Sequence, residues 1–330
     1  MAVSRHAFLT GCAAVAAAAG GVRKADAQTL VPIQVGYYPG ISALPLLTGV
    51  YIGMFASDGL AVDAEPAVDA GTLFGELDDG LVQIAHTPID NSIACDLGFG
   101  PRSVRSRDYV AFLGVDDGQL RLVARPGITR IAQLRGKTLA VDSLSTGTTF
   151  VLRAMLEIEG LAENDYRLVP QGGMQQRASA LVAGKVDATL LAPPFDLSVK
   201  PRGCRTLAHA IDLLGPYQGI AVVARRAWLH ENGSAAIQYM HAYRAALAHA
   251  AADKSGSIPL LARGLHVSPA VAAASYDAAF RHSGGFCHDG DLDLDGIRTV
   301  LRLRTKYAPP GGGVDPAPYI EPAIITPQSA

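Results

Sequence analysis

The chain has 330 residues, 49% of them apolar and 18% charged, with a formal charge of −2. That length exceeds what one hydrophobic core ordinarily serves, so about two domains are expected. The near-neutral charge argues against a nucleic-acid or anionic-membrane surface and leaves a small molecule as the polar partner.

Residues 1–27 read as an export signal. Arg5 and His6 open it, Phe8 to Gly20 is an Ala-rich apolar stretch too short for a stable bilayer anchor, and Ala25-Asp26-Ala27 supplies small residues before a cut at Gln28. The order SRHAFL resembles a twin-arginine motif with His6 in place of the second Arg, so the general and the twin-arginine routes both stay open. Leu9-Thr10-Gly11-Cys12 has the form of a lipoprotein box, but most of the apolar segment follows Cys12. Cleavage removes Arg5, Arg23, Lys24 and Asp26, which leaves a mature chain of formal charge −4 with a periplasmic location expected. Cys95, Cys204 and Cys287 remain, an odd number without metal-type spacing that permits one disulfide and requires none.

From Val31 onward, short β-type runs alternate with helical stretches, the pattern of an α/β protein whose mostly parallel sheets are flanked by helices. Strands are expected at 31–35, 60–64 and 82–85, with helices at 44–55, 72–79 and 89–97 between and after them. Runs at 109–113 and 120–124 read as strands joined by Gly114 to Gly118, a segment suited to crossing between lobes. The order then returns, with strands at 138–141, 166–169 and 186–191 and helices at 148–159 and 174–183, each closed by a Gly. A return crossing is expected near Gly215 to Gly219, followed by a strand at 220–224, helical stretches at 227–265, 269–281 and 294–307, and a Pro/Gly-rich tail from Pro309 that wraps the surface. The implied organisation is a signal (1–27), a first lobe in two parts (28–117 and 216–330) and a second lobe (118–215).

One junction carries chemistry. VDSLSTGTTFVLRAML, Val141 to Leu156, passes from strand to helix through Ser143, Ser145, Thr146, Thr148 and Thr149. Unpaired N–H groups at a helix start, the positive end of the helix dipole, hydroxyl donors and Gly147 together suit an anion. No phosphate-loop Lys, no Cys and no nucleophile-elbow Ser accompanies them, so the junction suits holding rather than reacting. A Ser/Thr-rich cap without a ligand is the alternative. In open parallel α/β sheets ligands collect beyond the carboxyl ends of strands. Four loops fall there: Gly36 to Pro45, His86 to Asn91, Asp142 to Thr149 and Ala192 to Leu197.

Four stretches, ALPLLTGVYIGMFASDGLAVD (43–63), STGTTFVLRAMLEIEGL (145–161), ALVAGKVDATLLAPPFD (180–196) and GIAVVARRAWL (219–229), resemble in order and spacing the periplasmic solute-binding proteins of ABC importers. The likeness is to the nitrate/sulfonate/taurine class that also includes carriers of thiamine pyrimidine precursors. The resemblance implies a type II periplasmic binding protein fold, two lobes closing on a ligand cleft, and docking on a membrane permease with its cytoplasmic ATPase. It implies ligand contacts at Tyr37, Tyr38, Ile41, Ser42, Ala43, His86, Thr87, Asn91, Ser145, Thr146, Gly147, Thr148, Pro194 and Phe195, with Tyr217 and Gln218 at the return crossing. Tyr37, Tyr38 and Phe195 suit a ring or alkyl body, or simple loop packing. His86 suits an acidic ligand or a cap on the helix from Pro88, and Arg177 suits a counter-charge or a solvent-exposed first turn. The expected ligand is a small organic anion or zwitterion, a sulfonate or carboxylate with an aromatic body allowed. The alternative is a pyrimidine-type thiamine precursor, and the chain is expected to act as a monomer without cofactor.

Other motifs fail on spacing. Gly136-Lys137-Thr138 ends like a phosphate loop, but Ile131 stands where its first Gly belongs. Asp291 to Gly296 begins like a calcium loop, but Arg302 takes the place of the closing Glu, and Cys287-His288-Asp289 has no second ligand cluster. A few enzymes resemble the same fold, among them a desulfinase with a nucleophilic Cys on the loop after the first strand and a pyrimidine synthase with a Cys-rich motif. Gly36 to Pro45 contains no Cys and the motif is absent, so no catalytic residue is expected. A ligand-sensing partner of a membrane receptor remains a third reading.

Overall fold

Ten strands build two sheets: β1 (Val31–Tyr37), β2 (Leu60–Pro66), β3 (Ile84–Pro88), β4 (Tyr109–Gly114), β5 (Arg121–Ala124), β6 (Thr138–Val141), β7 (Arg167–Pro170), β8 (Ala188–Leu191), β9 (Arg205–His209) and β10 (Ile220–Arg225). The computed structural model describes residues 29–101, 103–281, 283–308 and 313–322; the export signal, Cys12 and the rest of the tail from Pro309 lie outside them. The strand orders are β2-β1-β3-β10-β4 and β7-β6-β8-β5-β9. In the first sheet β10 runs antiparallel between β3 and β4, and in the second β5 runs antiparallel between β8 and β9. The remaining pairs are parallel. The reversed strand is in each case the one arriving from the other lobe. A crossing that leaves the carboxyl end of β4 enters the second sheet at its own carboxyl edge and must run away from it.

Two expected elements are broken in the structure, and one strand appears where none was expected. The helix expected over 44–55 is broken into Leu44–Tyr51 and Met54–Ser57, because Gly53 takes φ 78°, a left-handed conformation in which side chains clash. The stretch 227–265 becomes Arg226–Glu231, Gly233–Ala252 and Lys254–Gly264, the last begun by the Asp253 carboxylate accepting from Gly256 N–H at 2.9 Å. Strand β9 was not expected; it is an edge strand whose residues are only partly buried, so no alternation marks it.

The first-lobe core lies between its sheet and the Ala-rich helix Gly233–Ala252. Small residues bring that helix close: a Cβ on Gly49 would lie 3.1 Å from Ala246 Cβ and 2.7 Å from the Phe55 ring. Phe55 stacks on Tyr239 with centroids 4.9 Å apart. Removing a buried ring of this kind costs about 3–5 kcal/mol.

The helix Leu294–Tyr307 packs on Ile89–Asp96 of the first lobe and on Gly147–Ile158 of the second, so it spans the junction behind the crossings. Asp293 caps it by accepting from Gly296 N–H at 2.9 Å. Beyond it, Ile320 bridges Ala111 and Glu321 N–H donates to Ala111 O at 3.0 Å, covering the open edge of β4. No helix among the described residues is long and apolar enough to cross a membrane.

Candidate functional site

The two sheets present their carboxyl ends to each other, which brings together the loops after β1, β3, β6 and β8. The expected anion grip forms the start of the helix Gly147–Ile158, and three of its donors are already engaged. Gly147 N–H donates to Oδ2 of Asp90, in the first turn of Ile89–Asp96 on the other lobe, at 2.7 Å. Thr146 Oγ1 donates to Asp142 Oδ1 at 2.7 Å, and Thr149 Oγ1 donates to Ser143 O at 2.5 Å. Thr148 is half-buried and Ser145 exposed.

Asp90 is held from behind by Arg304, whose Nε and Nη2 reach Oδ1 and Oδ2 at 2.7 and 2.5 Å. The Arg304 guanidinium lies 5.3 Å from the Phe150 ring centroid, and its Nη1 has no partner among the described residues. A bidentate pair plus a helix N–H satisfies a carboxylate well, and this depth requires it, since Asp90 and Arg304 are 2% and 1% exposed. Neither residue was expected at the site. One signal was available for Arg304: Ile297, Val300, Leu301 and Arg304 share one helix face at i, i+3, i+4, i+7, so a lone Arg interrupts an apolar stripe.

Tyr38 is half-buried near Asp69 of its own lobe and Asp142 of the other; burial first, then these two carboxylates, push its hydroxyl pKa up, and a hydrogen bond with Thr87 opposes them. Asn91 Nδ2 donates to Thr87 Oγ1 at 3.1 Å, which fixes that hydroxyl. Tyr37, also half-buried, has its hydroxyl pKa raised by burial and then by Glu65. Arg177 is buried, not exposed: Nη1 donates to Leu190 O at 2.8 Å, Nε lacks a partner among the described residues, and burial lowers its pKa against the pull of Asp142. Pro194 is buried and Phe195 half-buried against the second-lobe core. The loops touch directly across the cleft where Ile41 N–H donates to Pro193 O at 3.3 Å.

Several expected contacts have other partners. His86 is buried, its Nε2 2.7 Å from Tyr239 Oη and its Nδ1 without a partner among the described residues; burial pushes its pKa down to about 3, which favours the neutral ring, and no side chain caps the following helix. Gln218 is a crossing residue: Nε2 donates to Asp116 O at 3.1 Å and Ile220 O at 2.9 Å, and Oε1 accepts from Asp293 N–H at 2.8 Å. Ser42 Oγ donates to Asp116 Oδ2 at 2.5 Å, while Ile41 and Ala43 are buried. Tyr217 is buried over Gly118, where a Cβ would lie 2.5 Å from its ring, and burial raises its hydroxyl pKa first, then Asp90. Cys95, Cys204 and Cys287 are free and buried, and no group of three His, Cys, Asp or Glu able to hold a metal occurs among the described residues.

No curated protein matches the chain. The family described as NMT1/THI5 like matches residues 119–256, which run from the first crossing through the second sheet and back to β10 and its helices. Solved structures match over nearly the full length. A ligand-binding component of an ABC-type import system from Staphylococcus aureus, with zinc bound, is 13% identical with a TM-score of 0.74, covering 89% of this chain and 98% of that one. The alkanesulfonate-binding protein from Xanthomonas axonopodis pv. citri, bound to MOPS, is 18% identical with a TM-score of 0.72, covering 88% and 98%. The periplasmic nitrate-binding protein from Synechocystis is 14% identical with a TM-score of 0.68, covering 85% and 83%. The chain therefore has the two-lobe α/β periplasmic-binding fold of type II, with mixed sheets flanked by helices, and its middle segment matches the NMT1/THI5-like family.

Proposed function

We propose that the protein is the exported solute-binding component of an ABC importer, taking one small organic acid or zwitterion into the cleft between its sheets and releasing it to a membrane permease driven by an ATPase. It acts by holding its ligand and leaves the ligand's covalent bonds intact. The observation that carries the ligand class is the Gly147 N–H, which receives a carboxylate oxygen at 2.7 Å where a Cβ would lie 2.6 Å from that carboxylate's carbon. A position that fits the carboxylate of Asp90 has the size and polarity for a ligand acid. Asp69 and Asp142 beside Tyr38 favour a ligand that also carries a positive or N–H-rich part. The import systems and sulfonate carriers among the similar folds support the transport role.

A thermal-shift screen of sulfonates, carboxylates, nitrate, zwitterionic sulfonates and aminopyrimidines tests this reading. A ligand at a hundred times its dissociation constant adds about 2.7 kcal/mol of stability. Stabilisation by acids or zwitterions is expected; a screen in which none of these compounds shifts the transition rejects the reading. A second reading, a carrier of a pyrimidine-type precursor, is favoured by Tyr38 between two carboxylates, and is selected if neutral aminopyrimidines stabilise while acids do not.

A further inference from the structure

The expected anion site already contains an acid, and that acid belongs to the protein. Asp90 reaches across from the first lobe to the helix start of the second, and Arg304 holds both of its oxygens. A ligand acid arriving at the Gly147 N–H meets an occupied donor. It must move Asp90 aside, and Asp90 has somewhere to stay, because the Arg304 fork comes from a third helix and does not depend on Gly147. Arg304 Nη1, on a side chain 1% exposed, has no partner among the described residues, so the guanidinium that holds Asp90 keeps one donor in reserve.

From this we infer that Asp90 is the specificity-determining residue of the cleft: it stands in for the ligand's acid group when the cleft is empty, closing the lobes on itself, and admits only acids able to displace it. This rests on the carrier reading above and names how that site selects its ligand. The internal carboxylate acts as a threshold. A weakly held anion such as acetate offers nothing beyond what Asp90 already supplies, whereas an acid carried on a larger body adds contacts with Tyr38 and Phe195. The occupied state also places the bound carboxylate between the two helix starts, so closure and acid recognition use one hydrogen bond.

Two variants separate the parts. Gly147→Ala leaves the Asp90–Arg304 pair intact but puts a methyl group 2.6 Å from Asp90 Cγ, so it wedges the lobes apart; Gly147 has no positive φ, and Ala suits a helix. Asp90→Asn keeps the shape, removes the competing charge and leaves Arg304 without its counter-ion. Small-angle X-ray scattering of the ligand-free proteins is expected to give a compact wild type and a larger radius of gyration for Gly147→Ala. Isothermal titration with MOPS, a zwitterionic sulfonate, is expected to show Asp90→Asn binding roughly tenfold to a hundredfold tighter than wild type, the range of one charge-assisted hydrogen bond. Morpholine, which lacks the acid, should show no such gain. Identical scattering of wild type and Gly147→Ala overturns the inference, and so does an Asp90→Asn protein that gains no affinity for MOPS. If Asp90→Asn fails to fold, the scattering comparison decides alone. Because the scattering needs no ligand, a carrier reading that fails in the thermal screen is distinguishable from an Asp90 contact that fails here.

Discussion

Two ion pairs are buried near the cleft, and they differ in what they join. Arg121 and Asp196 meet at 2.5 Å inside the second lobe, linking β5 to the helix Phe195–Val199, and each keeps one polar atom, Nε and Oδ1, without a partner among the described residues. Arg304 and Asp90, 214 residues apart, bond through both carboxylate oxygens and add a helix N–H from the opposite lobe. The first pair lies within one lobe. The second is complete only when the lobes meet, so it reports on closure as well as on stability.

Removing one partner of either pair gives the largest expected effect. Arg121→Ala and Arg304→Ala each leave a carboxylate buried without its counter-ion, at a cost of about 3–5 kcal/mol in urea unfolding. The comparison breaks if both also alter the ligand-free scattering radius equally, since only Arg304 should. A neutral contact sharpens the contrast. His86 has its folded pKa depressed to about 3 by burial against an ordinary value of 6.5, so the unfolded chain takes up the proton first. Stability from His86 is therefore full above pH 6.5 and is lost on acidification toward pH 3, on the order of 1.4 kcal/mol per pH unit. Urea midpoints from pH 7 to 4.5 should fall less steeply in His86→Phe than in wild type; equal slopes would show that the ring is not held neutral. The smallest effect belongs to Thr146→Ala, which removes the hydroxyl donor to Asp142 Oδ1 and should cost about 1 kcal/mol in the same assay.

Much of the fold was readable because its signals are local. Strand runs such as Tyr109–Gly114, buried at every position, and helices closed by Gly160 or Gly184 announce themselves within a few residues. Strand β9 did not, since its half-exposed residues carry no period, and the break at Gly53 depended on the sign of one dihedral. The site was readable in its loops and less so in its partners. Tyr38 and the Gly147 helix start follow β1 and β6, but His86, expected on a loop and found within β3, and Gln218, expected at the crossing, bond to Tyr239 and Asp116.

The sequence by itself determined that strands and helices alternate through two similar halves, and that one helix begins with glycine and hydroxyls at its positive end. Both follow from spacing and backbone chemistry over a few turns. Only the tertiary structure decided that Asp90 fills that helix start and that Arg304 supports it. These contacts join residues 57 and 214 positions apart, and which polar groups meet at that separation depends on how two sheets and a spanning helix pack, because a buried charge is tolerated only where packing delivers its partner.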